Sequence, residues 1–283
     1  MSGKGIRSRA LPAGWYPSDG LDIKRVFDDW ELSGKTEQEI RGRVAITPHA
    51  GWSFSGRLSY RTIRLLDPEC SVMIVIGGHM PPGSGIVGAF EKWIDTPLGE
   101  IEVNENFMAL LNQQVKIRSD NVPDNTVEVQ MPIIKHLFPG VSVVWLRVGA
   151  GDESLELGRS IVGAALEYGK KVCVIGSTDL THYGPNFGFT PKGTGPEAIA
   201  WAKRENDAGI IQHMVEMNTR SVLEWGNKYR AACSSGAAAA AMQCADGWGC
   251  EEGILIGYEN SCNIQAGSSF VGYAGIVYSN RES

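Results

Sequence analysis

Two hydrophobic rhythms alternate along the 283-residue chain, and this alternation constrains the fold more than any other feature. Short β-branched apolar runs recur at 44–46, 72–76, 141–148, 171–175, 253–257 and 270–278. Between them lie segments with apolar residues at helical spacing, at 58–66, 106–111, 127–137, 154–168, 197–217 and 235–244. Strand and helix patterns taking turns in this way predict an α/β protein, a single-domain layered fold with a central, mostly parallel or mixed β-sheet flanked by helices. No long Pro/Ser-rich linker divides the chain, so residues 1–283 are expected to form one domain, with the core at about 41–279. The Gly/Pro-rich stretch 185–196 is long enough to be a functional loop. Glycine is abundant, 35 residues of 283, without a collagen-like period, which points to tight turns and close backbone approaches.

Composition removes several classes of function. Lys and Arg number 26 against 32 Asp and Glu, a net charge of −6, which argues against nucleic acid or an anionic membrane as the main partner. No apolar run reaches the roughly 18 residues of a membrane helix. The basic start, Met1 to Arg9, is not followed by an apolar h-region, so no secretory signal is expected and the protein reads as cytoplasmic. The six cysteines show no C-x-x-C pair, which suits reduced, mostly buried thiols.

In open α/β sheets, chemistry gathers at the carboxyl ends of the strands. Three of the five histidines fall there, next to glycine: His49 in Pro48-His49-Ala50-Gly51, His79 in Gly77-Gly78-His79, and His182 in Asp179-Leu180-Thr181-His182-Tyr183-Gly184. His136 and His213 sit inside helical patterns and read as ordinary helix residues. Asp179 stands three residues before His182, a spacing that puts both on one side of a turn. There the carboxylate could orient the imidazole for acid/base work or back a metal ligand. Cys233 precedes Ser234-Ser235-Gly236 and a run of five alanines. A thiol at a helix N-terminus ionises more easily and can act as nucleophile or metal ligand. The alternative is a small buried thiol. Asn125 and Glu128 have capping-box spacing, and the sharper alternative has Glu128 facing the site.

These residues lie in a set of stretches that resembles the Memo family, whose prokaryotic members are often called AmmeMemoRadiSam system protein B. The stretches are Pro48-His49-Ala50-Gly51-Trp52-Ser53-Phe54-Ser55-Gly56, Gly77-Gly78-His79, Trp93 to Gly99, Glu128-Val129-Gln130-Met131-Pro132, Ser177 to Gly184, Cys233 to Gly236, and Val271 to Gly275. The family is similar in fold to the catalytic subunits of class III extradiol dioxygenases. The resemblance implies a mononuclear metal held by His49, His79 and Cys233, with Asp179 and His182 in the same pocket as catalytic residues. Fe(II) is the first expectation, with Cu or Zn as alternatives because a thiolate softens the site. Two departures stand out. Ile76-Gly77-Gly78-His79 is one residue shorter than the family's usual Gly-Pro-x-His, and Asn125 stands where the family usually has a pocket histidine. Asparagine cannot serve as a proton-transfer base near neutral pH.

Two functions follow from the resemblance. One is an iron- or copper-dependent, dioxygenase-like oxidoreductase acting on a small aromatic or phenolic molecule. The other is a non-catalytic protein that binds a metal or a peptide, as a signalling adaptor. Zinc-dependent hydrolysis is weaker, since the chain has no H-E-x-x-H.

Overall fold

The structure, a computed structural model, describes residues 5–32 and 40–279. All six apolar runs are strands of one mixed sheet. In spatial order it runs β10 (His182–Tyr183), β12 (Phe270–Tyr278), β2 (Val44–Thr47), β9 (Val172–Ser177), β3 (Val72–Met80), β8 (Ser142–Gly149), β4 (Ile86–Gly88) and β7 (Ile117–Ser119), with β11 (Gly253–Asn260) also paired to β12. The central strands β2, β9, β3 and β8 are mutually parallel. On either side the direction reverses, β12 against β2 and β4 against β8. A small second sheet joins β1 (Ile6–Arg7), β5 (Trp93–Ile94) and β6 (Ile101–Glu102).

The period-two alternation of a strand sorts the apolar residues onto two faces. Val44, Ile46, Ile74, Ile76, Val144, Leu146 and Val174 pack beneath α3 (Glu105–Gln114), α6 (Asp152–Tyr168), α8 (Ala208–Val215), α9 (Thr219–Tyr229) and α10 (Ser235–Gly247). Their neighbours Ala45, Met73, Val75, Val143, Trp145, Cys173 and Ile175 face α1 (Gly20–Leu32), α2 (Trp52–Ile63) and α5 (Met131–Leu137). Each fully buried branched side chain stabilises the fold by about 1.5–3 kcal/mol, so this sheet anchors the whole molecule.

α10 explains the alanine run. Ala237 to Ala241 are all completely buried. Side chains this small let the helix lie close against the sheet and against α6. A Cβ added at Gly176 of β9 would stand 2.7 Å from the Ala237 carbonyl oxygen, and one at Gly158 of α6 would stand 2.6 Å from that of Ala240. The start of α10 is thereby drawn over the ends of β9 and β3.

Three local expectations change. The segment 127–137 is two helices, α4 (Asn125–Glu128) and α5, because the helix restarts at Pro132, whose missing N–H is tolerated in a first turn. The segment 197–217 begins as α7 (Pro196–Trp201), widens into a π-helical turn over Ala202–Asp207, and returns to α-geometry in α8. The capping box does not form. Asp124 caps α4 instead, accepting from the Thr126 N–H at 2.9 Å. Glu128 is a buried carboxylate that needs donors, and it finds them on the N-terminal segment: the N–H groups of Ala10 (2.9 Å) and Leu11 (3.1 Å) and the hydroxyl of Tyr16 (2.8 Å). It anchors that segment rather than facing the histidines.

Candidate metal centre

β2, β9 and β3 are neighbours, so their carboxyl ends open side by side. The end of β2 delivers His49, that of β9 delivers Ser177 and Asp179, and that of β3 carries His79. The loop before α10 closes over them with Cys233, pinned by two backbone bonds. The Cys233 N–H donates to the Asp179 carbonyl (3.1 Å), and the Ser234 N–H donates to Thr178 Oγ1 (3.1 Å).

Residues distant in sequence meet here. His49 Nε2 lies 3.3 Å from His79 Nε2 and 3.2 Å from Cys233 Sγ. One donor atom from each of the three residues falls within 4.8 Å of the others. Four-coordinate binding with metal–nitrogen bonds of about 2.0–2.1 Å and metal–sulfur bonds of about 2.3 Å sets donor separations near 3.3–3.6 Å, and the two separations from His49 are close to that range.

Both imidazoles are oriented from behind. His49 Nδ1 lies 3.2 Å from Ser177 Oγ, which accepts from Gln130 Nε2 at the same distance; that amide also donates to the Pro48 carbonyl at 2.7 Å. His79 Nδ1 faces Asp124 Oδ2 at 4.0 Å, and Arg147 Nη1 holds that carboxylate at 3.0 Å. Partners on Nδ1 turn Nε2 of each ring toward the common point, the usual support for a metal-ligating histidine. Arg147 also grips Asp120 through Nε and Nη2, at 2.8 and 2.6 Å.

His79 has φ +60°, a left-handed conformation that costs a non-glycine residue about 1–2 kcal/mol. The surroundings enforce it. Gly77 and Gly78 have no room for a Cβ against Thr126 and Ser234, and their neighbourhood is locked by Gly78 N–H donating to Thr126 Oγ1 and His79 N–H donating to Ser234 Oγ, each at 3.2 Å. Strain held in place this way is characteristic of functional positions. His79 also marks the open side of the site, with 39% of its side chain exposed against 1% for His49.

Burial dominates the electrostatics. It drives the His49 imidazole well below its ordinary pKa, and the neighbouring His79 adds to this. It raises the Asp179 carboxyl, against the pull of His182. It pushes the Cys233 thiol up to about 12, with the Asp179 charge acting in the same direction. Burial thus works against the easier ionisation expected from its position before α10. Two imidazole nitrogens and a thiol form a donor set suited to a divalent cation, whose charge would favour the thiolate.

Asp179 and His182 reach the same region but not each other in the expected way. The Asp179 carboxylate accepts from the His49 N–H at 2.7 Å. His182 opens β10, its Nδ1 lies 3.1 Å from the Leu180 carbonyl, and the Phe187 ring meets it edge-on at 4.9 Å. A carbonyl only accepts, so Nδ1 is the donor in this contact and Nε2 is the ring nitrogen left for other partners. The orienting group is the Leu180 carbonyl rather than Asp179. Asn125 lies at the site's rim, donating to the His49 carbonyl at 3.2 Å. His136 in α5 packs against Phe27, and His213 in α8 against Trp225, as ordinary helix residues. All six cysteines are free.

Ser177, Gln130, Asp124 and Arg147 escaped the sequence reading. Gln130 stands two residues after Glu128 in a stretch already singled out, and Ser177 ends a strand run, but neither spacing shows that they meet behind His49.

A layered α/β sheet with two histidines and a cysteine converging at the ends of its parallel strands defines the class: a protein with a candidate mononuclear metal centre. Comparison with known proteins gives the family. A family model described as Memo-like protein matches residues 7–277. A MEMO1 family protein of Thermococcus kodakarensis is 31% identical over 295 residues, covering 96% of this chain and 99% of its own length. MEMO1 family proteins of Archaeoglobus fulgidus and Methanopyrus kandleri are 27% and 26% identical, each also covering 96% of this chain and 99% and 98% of their own lengths. The chain belongs to the Memo-like family. None of its described helices is long and apolar enough to cross a membrane.

Proposed function

We propose that this chain is a mononuclear non-haem oxidoreductase that holds iron, with copper as the nearest competitor, and acts on a small aromatic or phenolic substrate. The observation that supports it is the convergence of His49 Nε2, His79 Nε2 and Cys233 Sγ on one point. Those three residues would hold the ion, and three ligands leave coordination positions free for substrate and co-substrate. When bound, the metal supplies Lewis acidity and one-electron redox chemistry that no side chain offers.

The chain's own residues do the rest. Ser177, backed by Gln130, and Asp124, backed by Arg147, aim the two rings. Asp179 fixes the backbone at His49. His182, with its proton held on Nδ1 by Leu180, presents Nε2 as the base that takes the proton of a phenolic hydroxyl. Phe187, edge-on to that ring, offers an apolar surface where an aromatic substrate can lie.

Anaerobic loading with Fe(II), followed by dioxygen and a panel of catechols and other phenols, tests this through oxygen uptake. Uptake is expected with at least one compound in the wild-type protein and is expected to vanish in His182→Ala. Loaded wild-type protein that consumes no oxygen with any compound overturns the enzyme reading. One observation favours a metal-binding protein without turnover: Asn125 places an amide, which has no proton to exchange near neutral pH, at the rim of the site. That reading predicts full metal content with no uptake.

A further inference from the structure

The segment between Asp179 and His182 is fixed from outside the site. Its middle residue, Thr181, is completely buried and is held by two consecutive residues of the π-helical turn. Asn206 Nδ2 donates to Thr181 Oγ1 at 2.9 Å, and the Thr181 N–H donates to Asp207 Oδ1 at 3.0 Å. The Thr181 hydroxyl makes a further, short hydrogen bond to the same Asp207 oxygen. Tyr258 of β11 donates to Asp207 Oδ2 at 2.7 Å, so both carboxylate oxygens are engaged. Across the sheet, Gly272 of β12 closes the strap: its N–H donates to the Thr181 carbonyl (3.1 Å), and its own carbonyl accepts from the Leu180 N–H (2.8 Å). Gly272 has no room for a side chain, because a Cβ there would collide with the Asp207 carboxylate.

This arrangement combines features that are individually costly. π-helical turns are rare and tend to mark functional places. A fully buried carboxylate carries a large desolvation cost unless its hydrogen bonds are supplied, and here Thr181 supplies two and Tyr258 a third. In a regular α-helix consecutive side chains diverge by about 100°. The widened turn lets Asn206 and Asp207 reach the same threonine.

We propose that Asp207 is a positioning residue, which, through Thr181, sets the direction in which His182 presents its ring and the depth at which Asp179 supports His49. It lies outside the cluster of His49, His79 and Cys233. The role assigned to His182 rests on the oxidoreductase reading; the clamp itself does not.

The test uses the full-length protein loaded with Zn(II), a diamagnetic probe, in three variants: Asp207→Ala, Asp207→Asn and Thr181→Val. Nitrogen-15 NMR of the imidazoles and amide hydrogen exchange over residues 178–182 are measured. In wild type, His182 is expected as a single Nδ1–H tautomer with a protected Thr181 amide. Asp207→Ala should mix the tautomers and speed exchange at Thr181 by roughly tenfold or more, as expected for loss of a buried hydrogen bond to a charged group. Asp207→Asn, which keeps an acceptor for Thr181 and can donate to Tyr258, should restore both signals. Thr181→Val keeps the shape and removes only the hydroxyl bonds, so it serves if the alanine variant does not fold; it should also mix the tautomers. An unchanged His182 tautomer and unchanged Thr181 protection in the folded Asp207→Ala or Thr181→Val variant overturns the proposal. These readouts need no turnover, so a protein that consumes no oxygen would overturn the enzyme reading and leave this result standing.

Discussion

His49, His79 and Cys233 each do something that ordinary packing does not ask of them. His49 is a buried imidazole whose Nε2 faces another histidine and a thiol at 3.3 and 3.2 Å, both nearer than the Asp179 carboxylate at 3.9 Å. Replacing it, or replacing Cys233 with serine, should remove most of the bound metal as judged by elemental analysis, while circular dichroism still reports a folded chain. His182→Ala should keep the metal, since the ring lies outside the cluster. His79 allows a separation of strain from ligation. With φ +60° it sits where glycine is at ease. His79→Gly and His79→Ala should both lose metal, yet the glycine variant should be more stable to urea by about 1 kcal/mol. Equal midpoints would mean that the backbone there is not strained.

At the level of elements, the site depends on how closely α10 lies on the sheet. Gly176→Ala would place a methyl against the Ala237 carbonyl and the Ala241 side chain. The helix must move, and Cys233 moves with it. We expect a stability loss of about 1–3 kcal/mol, together with weaker metal binding in an equilibrium titration, although residue 176 touches no ligand. The same elements show what a sequence discloses. The strand-end histidines were legible because β2 and β3 carry strong apolar runs that stop at glycine-flanked histidines. The alanine run announced a closely packed helix and so drew notice to Cys233. α1 was not legible: only Ile23 and Phe27 are buried among its many charges, too few to make a helical stripe. Glu128 was misread because its partners, Ala10, Leu11 and Tyr16, lie more than a hundred residues upstream, beyond any spacing rule. The supports behind the site, Gln130 with Ser177 and Asp207 with Thr181, were hidden for the same reason. Spacing shows what one element offers, not what another will place against it.

For the molecule as a whole, buried carboxyls of opposite behaviour shape its response to pH. At Asp120, burial alone would raise the pKa, but the Arg147 guanidinium outweighs it and holds the carboxyl below the ordinary value of 3.8. Stability from that ion pair is present above this value and is lost as pH falls further. Asp207 goes the other way. Burial pushes it up to about 6, despite hydrogen bonds from Thr181 and Tyr258. An acid whose folded pKa lies above its unfolded value favours the fold at low pH, and that contribution is lost as pH rises through 6. Asp207→Asn removes this titration, so its stability relative to wild type should improve between pH 4 and pH 7.5, by up to about 3 kcal/mol. Urea denaturation of both proteins at the two pH values checks this, and a gap that does not change with pH would contradict it.

The most direct measurement is on wild-type protein purified without chelator: metal content by elemental analysis, joined to X-ray absorption at the edge of the metal found. Close to one ion per chain is expected, with nitrogen neighbours and a single sulfur in its shell, the sulfur disappearing in Cys233→Ser. No metal above the level of the His49→Ala variant, or a shell without sulfur, would contradict it.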